Sequence, residues 1–238
     1  MIRLSAAAVL IAACIAPLKA GSQTLTGNGK SEGYLRFGVQ YHDQQRATTD
    51  VALGGRFGFE TAERWHMSAG AGFYTSQGFG HHDNQGYPFY DNDNHSYSIL
   101  GDAYLKGKWG GSTLILGRQQ IDTPFADSDD NGMVPNRFEA YTLLNSDIEG
   151  ATIMFSHLVK WSGVDAPDPG RFTSLNPGHG VQMLGAIYEG MEDIALSCWY
   201  YHIEGMADLI YLESARQWHH GFGDLTLGLQ YADEDYSE

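Results

Sequence analysis

From residue 33 onwards, apolar side chains recur at every second position. Gly33-Tyr34-Leu35-Arg36-Phe37-Gly38-Val39-Gln40-Tyr41 sets the pattern. Leu35, Phe37, Val39 and Tyr41 fall on one face, and Tyr34, Arg36, Gly38 and Gln40 on the other. A period of two is the repeat of extended chain, because successive side chains point to opposite sides of a strand. The next segment sets Val51, Leu53, Phe57 and Phe59 against Ala52, Gly54, Arg56 and Gly58. The third sets Trp65, Met67, Ala69, Ala71 and Phe73 against His66, Ser68, Gly70, Gly72 and Tyr74. The fourth sets Tyr97, Ile99, Ala103 and Leu105 against Ser98, Asp102, Tyr104 and Lys106, with Leu100 out of step. Further strands are expected at 112–120, 138–147, 149–161, 180–189, 193–203, 207–216 and 222–232, about eleven in all. No stretch sustains a helical period, and Gly, Asn and Asp cluster between strands as turns require.

Many antiparallel strands fit two architectures. In a sandwich the apolar face meets a second sheet. In a transmembrane barrel it meets lipid, and the polar face lines a lumen. Three features favour the barrel. The expected strands have the length of a tilted bilayer crossing, about 9–11 residues. Aromatics stand near strand ends, among them Tyr34, Tyr41, Trp65, Tyr74, Trp109 and Trp161, where interfacial girdles lie. Short connections (Thr61 to Arg64, Gly110 to Gly111) alternate with long polar ones (Ser76 to Asn94, Ser162 to Gly178), as periplasmic turns alternate with outer loops. The fold expected is all-β, an antiparallel transmembrane β-barrel.

The first twenty residues read as an export signal. Met1-Ile2-Arg3 is a short positive end, Leu4 to Ala16 an apolar run too short to span a bilayer, and Ala20 a cleavage site. Residues 21–238 are then the barrel domain. Ile11-Ala12-Ala13-Cys14 also fits a lipoprotein cleavage box, which would lipidate Cys14. Beyond it stands a single cysteine, Cys198, so no internal disulfide framework forms. Losing Arg3 and Lys19 takes the formal charge from −15 to −17, which argues against a nucleic-acid partner.

Residues 127–132, Asp-Ser-Asp-Asp-Asn-Gly, nearly spell an EF-hand loop: Asp127, Asp129 and Asn131 take ligand positions one, three and five, and Gly132 position six. Position twelve is Phe138, where the bidentate Glu should stand, and Glu139 comes one residue late. Leu114-Ile115-Leu116 before the loop is β-like, and Pro124 and Pro135 flank the acidic stretch, so no helix frames it. The expectation is an acidic loop folded into a pore mouth, with no metal.

Parity supplies the remaining candidates. Arg36, Arg56, Asp102 and Lys106 lie opposite the apolar faces and should point inward, because a charge facing lipid near the midplane costs about 2–4 kcal/mol. Arg118 shares parity with Leu114 and Leu116, which leaves its direction open. Arg137 follows the acidic loop. His81-His82 and His219-His220 are adjacent pairs with no evident third ligand. Neither Gly-x-Ser-x-Gly, His-Glu-x-x-His nor a phosphate loop is present, so neither enzyme chemistry nor a cofactor is expected.

Gly117-Arg118-Gln119-Gln120-Ile121-Asp122-Thr123-Pro124-Phe125, followed by Asp129-Asp130-Asn131-Gly132-Met133-Val134-Pro135-Asn136-Arg137-Phe138-Glu139-Ala140-Tyr141, resembles the outer-membrane porin D (OprD-type) family. The resemblance is specific over about 25 residues and of pattern elsewhere. It implies an eighteen-stranded Gram-negative outer-membrane barrel, often trimeric, passing small solutes such as amino acids, peptides or organic acids. It also implies a track of wall arginines, Arg118 turned inward among them, facing acidic loop groups. Pore-lining candidates are therefore Arg36, Arg56, Asp102, Lys106, Arg118, Asp122, Asp127, Asp129, Asp130 and Arg137. Length departs from the family, and the chain closes on Asp233-Glu234-Asp235-Tyr236-Ser237-Glu238, unlike the terminal aromatic strand read by the barrel-assembly machinery. The expectation is a C-terminally truncated member, or else a complete smaller barrel. The alternative function is a non-enzymatic outer-membrane β-protein such as an adhesin or assembly factor.

Overall fold

A computed structural model describes residues 29–43, 47–79 and 88–237. The export signal, Cys14, His81 and His82 lie outside these residues. Eleven long strands follow one another: β1 (Lys30–Asp43), β2 (Ala47–Glu60), β3 (Met67–Gly78), β4 (Tyr97–Trp109), β5 (Ser112–Gln119), β6 (Arg137–Asn145), β7 (Ala151–Ser162), β9 (Val181–Met191), β10 (Ile194–Ile203), β11 (Ala207–His220) and β12 (Gly223–Tyr236). A two-residue strand, β8 (Thr173–Ser174), pairs with the end of β7. Each long strand pairs antiparallel with the next in one continuous sheet, of which β1 and β12 are the edges. No helix forms among the described residues.

The two faces are opposites of those in a water-soluble protein. Leu35, Phe37, Phe57, Phe73, Leu105, Leu143, Phe155, Leu184, Ile210 and Leu227 are all exposed, Phe57 at 62%. The other face buries Ser68, Ser76, Asp102, Gln119, Thr142 and Ser156. A continuous exposed apolar face is stable only against an apolar solvent, and polar groups are buried only where they find partners. Thr142 and Ser156 show the latter, their hydroxyls 2.8 Å apart across β6 and β7. The face with the polar burial is called inner below, since the long loops fold onto it.

Two expectations need correcting. Alternation places Trp65 on the apolar face of the third strand. Trp65 and His66 instead form the tip of a two-residue hairpin, with φ of 52° and 65°, closed by reciprocal bonds between Arg64 and Met67. Left-handed backbone at both central positions is what such a tight turn requires. It leaves the indole 90% exposed. Leu100 is out of step because β4 carries an extra residue there: Gly72 pairs with Asp102, but Phe73 pairs with Leu100. This bulge at Gly101 reverses parity, as one inserted residue must. Tyr97 and Ile99 are therefore buried on the inner side and Leu100 is exposed, the opposite of the assignment by simple alternation.

Candidate functional site

Loop 120–136, between β5 and β6, is the centre of the inner face. Its first part packs on the wall formed by β9, β10 and β11. Ile121 is buried beside Phe138, Leu158, Met183, Trp199 and Tyr201. The Phe125 ring stands edge-on to Tyr201 at 5.4 Å and to Tyr211 at 5.8 Å, and the Thr123 hydroxyl donates to Ala126 O at 2.9 Å. Its last part packs on the opposite wall. Met133 and Val134 are buried among Ala52, Tyr74, Phe89, Tyr90, Tyr97 and Ile99. The loop thus crosses the inner face as a strap fixed at both ends.

Asp102 organises the charges of the first wall, β1 to β4, the β9–β11 wall being the second. It is 2% exposed. Its Oδ2 accepts from Arg56 Nε at 3.2 Å, Arg56 Nη2 at 2.9 Å and the Tyr74 hydroxyl at 3.0 Å. Its Oδ1 accepts from Arg137 Nε at 2.9 Å and from Nη2 of the same guanidinium. Arg56 also meets Glu32, and Arg137 Nη1 donates to Gln120 Oε1 at 2.8 Å. Arg36 grips the Asp130 carboxylate with both terminal nitrogens and donates to Gly132 O at 3.0 Å. Lys106 pairs with Glu60, which also accepts from Ser68 Oγ at 2.8 Å and the Tyr104 hydroxyl at 2.9 Å. Arg36, Arg56, Lys106 and Arg137 are each answered by a carboxylate, as low-dielectric burial demands.

Arg118 stands apart. Its register partner is Ala103, on the face of Leu105 and Leu116, which differs from the inward direction implied by the resemblance. Its Nη1 donates to Leu100 O at 3.0 Å, its Nε lies 3.5 Å from Glu139, and its guanidinium covers Phe172 at 4.2 Å. Lys160 joins the same Glu139 at 3.1 Å.

The acidic loop divides its carboxylates. Asp130 is bound to Arg36. Asp122 accepts from Ser128 N at 2.9 Å and Gln120 Nε2 at 2.7 Å. Burial pulls its pKa up, but these bonds and Arg137 outweigh it and hold the carboxyl below its ordinary value. Asp129 moves the other way, raised by burial, by a shared hydrogen bond with Asp165 and by Asp127. Asn136 ties Asp165 to this loop, donating to its Oδ2 at 2.7 Å and accepting from its N at 3.1 Å. No helix flanks the loop, since β5 and β6 run into it directly.

Between the strap and the second wall lies a cavity of about 580 Å³. Asp122, Asp127, Asp129 and Asp130 line the strap side, and Ser197, Trp199 and Glu213 the wall side. Glu213 accepts from the Tyr211 hydroxyl at 3.1 Å and Gln230 Nε2 at 3.2 Å. Five carboxylates and no Lys or Arg line this space.

A family model described as outer membrane porin, OprD family, matches residues 68–237. The chain belongs to the OprD family of outer-membrane porins. Solved structures agree in fold. Acinetobacter baumannii OccAB1 superposes with a TM-score of 0.74 at 18% identity, over 92% of this chain and 56% of its own. Pseudomonas aeruginosa OccK8 (OprE) gives 0.74 at 17%, over 88% and 55%. Pseudomonas aeruginosa OpdK with vanillate gives 0.74 at 17%, over 87% and 58%. This OprD-family chain thus spans somewhat more than half the length of those porins. No curated protein sequence matches it. As a member it is an outer-membrane β-barrel protein, and its exposed apolar face is the lipid face.

Glu32, Glu60, Tyr74, Tyr104 and Glu213 were absent from the sequence-derived candidates. A signal existed for four of them: Glu32 shares parity with Tyr34 and Arg36, Glu60 with Arg56 and Gly58, Tyr74 with Ser68 and Gly72, and Tyr104 with Asp102 and Lys106.

Proposed function

We propose that this protein forms a passive outer-membrane channel for small solutes and that its pathway prefers cations. The observation that carries this reading is the pairing pattern on the inner face. Arg36, Arg56, Lys106 and Arg137 are each bound to a carboxylate. The open cavity is lined by Asp122, Asp127, Asp129, Asp130 and Glu213, of which Asp130 alone is one of those partners. A ring of one sign in a narrow low-dielectric passage concentrates the counter-ion and lowers its entry cost. The solved OpdK holds vanillate. Vanillate is a carboxylate, and this lining supports solutes of the opposite charge, with an amino or guanidinium group, over organic acids. Insertion would run through the barrel-assembly machinery, with homotrimers as the working form and neither cofactor nor catalysis.

The test is reversal potential in planar bilayers under a salt gradient. The parent protein should favour cations, and joint replacement of Asp127, Asp129 and Asp130 by Asn should move the reversal potential towards anions. Recovery of the mature chain as a soluble periplasmic monomer, or unchanged reversal potential in the triple variant, would refute the reading. An adhesin or assembly factor would give no conductance in either form.

A further inference from the structure

The strap has a seat. On the inner face of β1 and β2, three small residues adjoin: Gly38 pairs with Ala52, and Arg36 pairs with Gly54 two residues along. Met133 fills the hollow they leave. A methyl group on Gly54 would lie 2.7 Å from both Cβ and Sδ of Met133, and one on Gly38 would lie 2.6 Å from Met133 Cε and from Phe89 Cζ. Both are inside van der Waals contact: the Gly54 methyl meets Met133 beside its backbone and must move the strap, while the Gly38 methyl meets the outer ends of the Met133 and Phe89 side chains. Arg36, beside Gly54, takes hold of Asp130 and Gly132 O, three residues and one residue before Met133.

We propose that Gly38, Ala52 and Gly54 form a notch that receives Met133 and thereby sets how far the strap stands from the β10–β11 wall, making them positioning residues for the channel. This rests on the channel reading above. The strap has little backbone pairing of its own: its internal bonds include Asn136 N to Ser128 O and Asn131 N to Asp129 O, which bind the loop to itself and to neither wall. Its place therefore depends on side-chain anchors. Beside Met133, a methyl group on Gly132 would lie 3.0 Å from Pro88 O and 3.4 Å from Val164 Cγ2. The open volume lies in front, along Asp127 to Asp130. Filling the notch pushes the strap into that volume and narrows it. Emptying the seat by shortening Met133 frees the strap. Methionine suits the role because its unbranched chain fits an irregular hollow.

The experiment uses the full chain in lipid vesicles, comparing the parent with Gly54→Ala, Gly38→Ala, Met133→Ala and the Gly54→Ala/Met133→Ala double variant. Hydrogen exchange across 127–134 reports strap seating, and single-channel conductance reports the aperture. Gly54→Ala should speed exchange in 127–134, leave β10 and β11 unchanged, and lower conductance by about twofold for a constriction narrowed by one methyl group, with a smaller change of the same sign for Gly38→Ala. Met133→Ala should speed exchange and raise conductance. In the Met133→Ala background, Gly54→Ala should have a smaller effect, because Sδ and Cγ are gone and only Cβ remains to be displaced. Equal effects of Gly54→Ala in both backgrounds, or unchanged exchange in all variants, would overturn the notch. Should the glycine variants fail to insert, Met133→Ala and Met133→Leu decide it: the notch requires lost protection in the first and retained protection in the second. A parent without conductance refutes the channel, while the exchange arm still decides the notch.

Discussion

The inner faces at the two ends of the sheet hold the same loop by different physics. On β1 to β4 the strap is held by charge and by a fitted methionine: Arg36 to Asp130, Asp102 between Arg56 and Arg137, Met133 over Gly38 and Gly54. On β10 and β11 it is held by rings, with Phe125 edge-on to Tyr201 and Tyr211, and beside them one carboxylate, Glu213, faces open space. The difference teaches that a charge on the inner face is not automatically a charge in the pathway. The cations Arg36, Arg56, Lys106 and Arg137 are members of ion pairs, those on Asp102 buried. Along the cavity Asp130 is held by Arg36, while Asp127 and Glu213 face the open volume.

That contrast can be broken most forcefully at Asp102. Asp102→Ala leaves Arg56 and Arg137 buried without their shared partner and should destabilise the folded form by about 3–5 kcal/mol, read from the denaturant midpoint in detergent. Arg137→Ala should behave alike. A loss under about 1 kcal/mol would mean that these pairs are solvated and belong with the pathway charges.

Phe125→Ala tests the ring-held side. It removes two edge-to-face contacts and should cost about 1–2 kcal/mol, with faster exchange in 120–127 and little change near Met133. If exchange rises equally at both ends, the strap moves as one body and the two anchors are not distinct.

Protonation separates the strap carboxylates more gently. Asp129 has a folded pKa raised above its ordinary 3.8, so the folded state holds its proton more tightly, and stability falls as pH rises through that interval. Asp122 has a folded pKa below 3.8, so its contribution is present above the unfolded value and is lost as pH falls through the folded one. Asp129→Asn should abolish the first dependence and keep the second, as measured by midpoint against pH. The smallest effect on stability belongs to Glu213→Gln, within about 0.5 kcal/mol, since the amide oxygen still accepts from Gln230 and the amide NH2 can donate to the Tyr211 hydroxyl. Its signature should be a reversal potential moved towards anions. A large stability loss there would erase the comparison.

Alternation of apolar and small or polar residues sufficed to give the strand class, the lipid face and the inward Arg36, Arg56, Asp102 and Lys106, because strand parity is a local property of each segment. It failed at Gly101, where a bulge reverses the faces of Tyr97, Ile99 and Leu100, and at Trp65, where the hairpin tip replaces strand. Both depend on register against a neighbouring strand. The motif around residues 117–141 was enough to suggest the family. What the acidic loop does was decided only in three dimensions. Asp130 meets Arg36 across 94 residues of sequence, Phe125 meets Tyr201 across 76, and Glu213 faces the strap from a strand that no local pattern ties to it. Local sequence determines which way a side chain points. Which charges are neutralised and which stay open depends on long-range pairing, and that is set only when the whole sheet brings distant strands and the strap together.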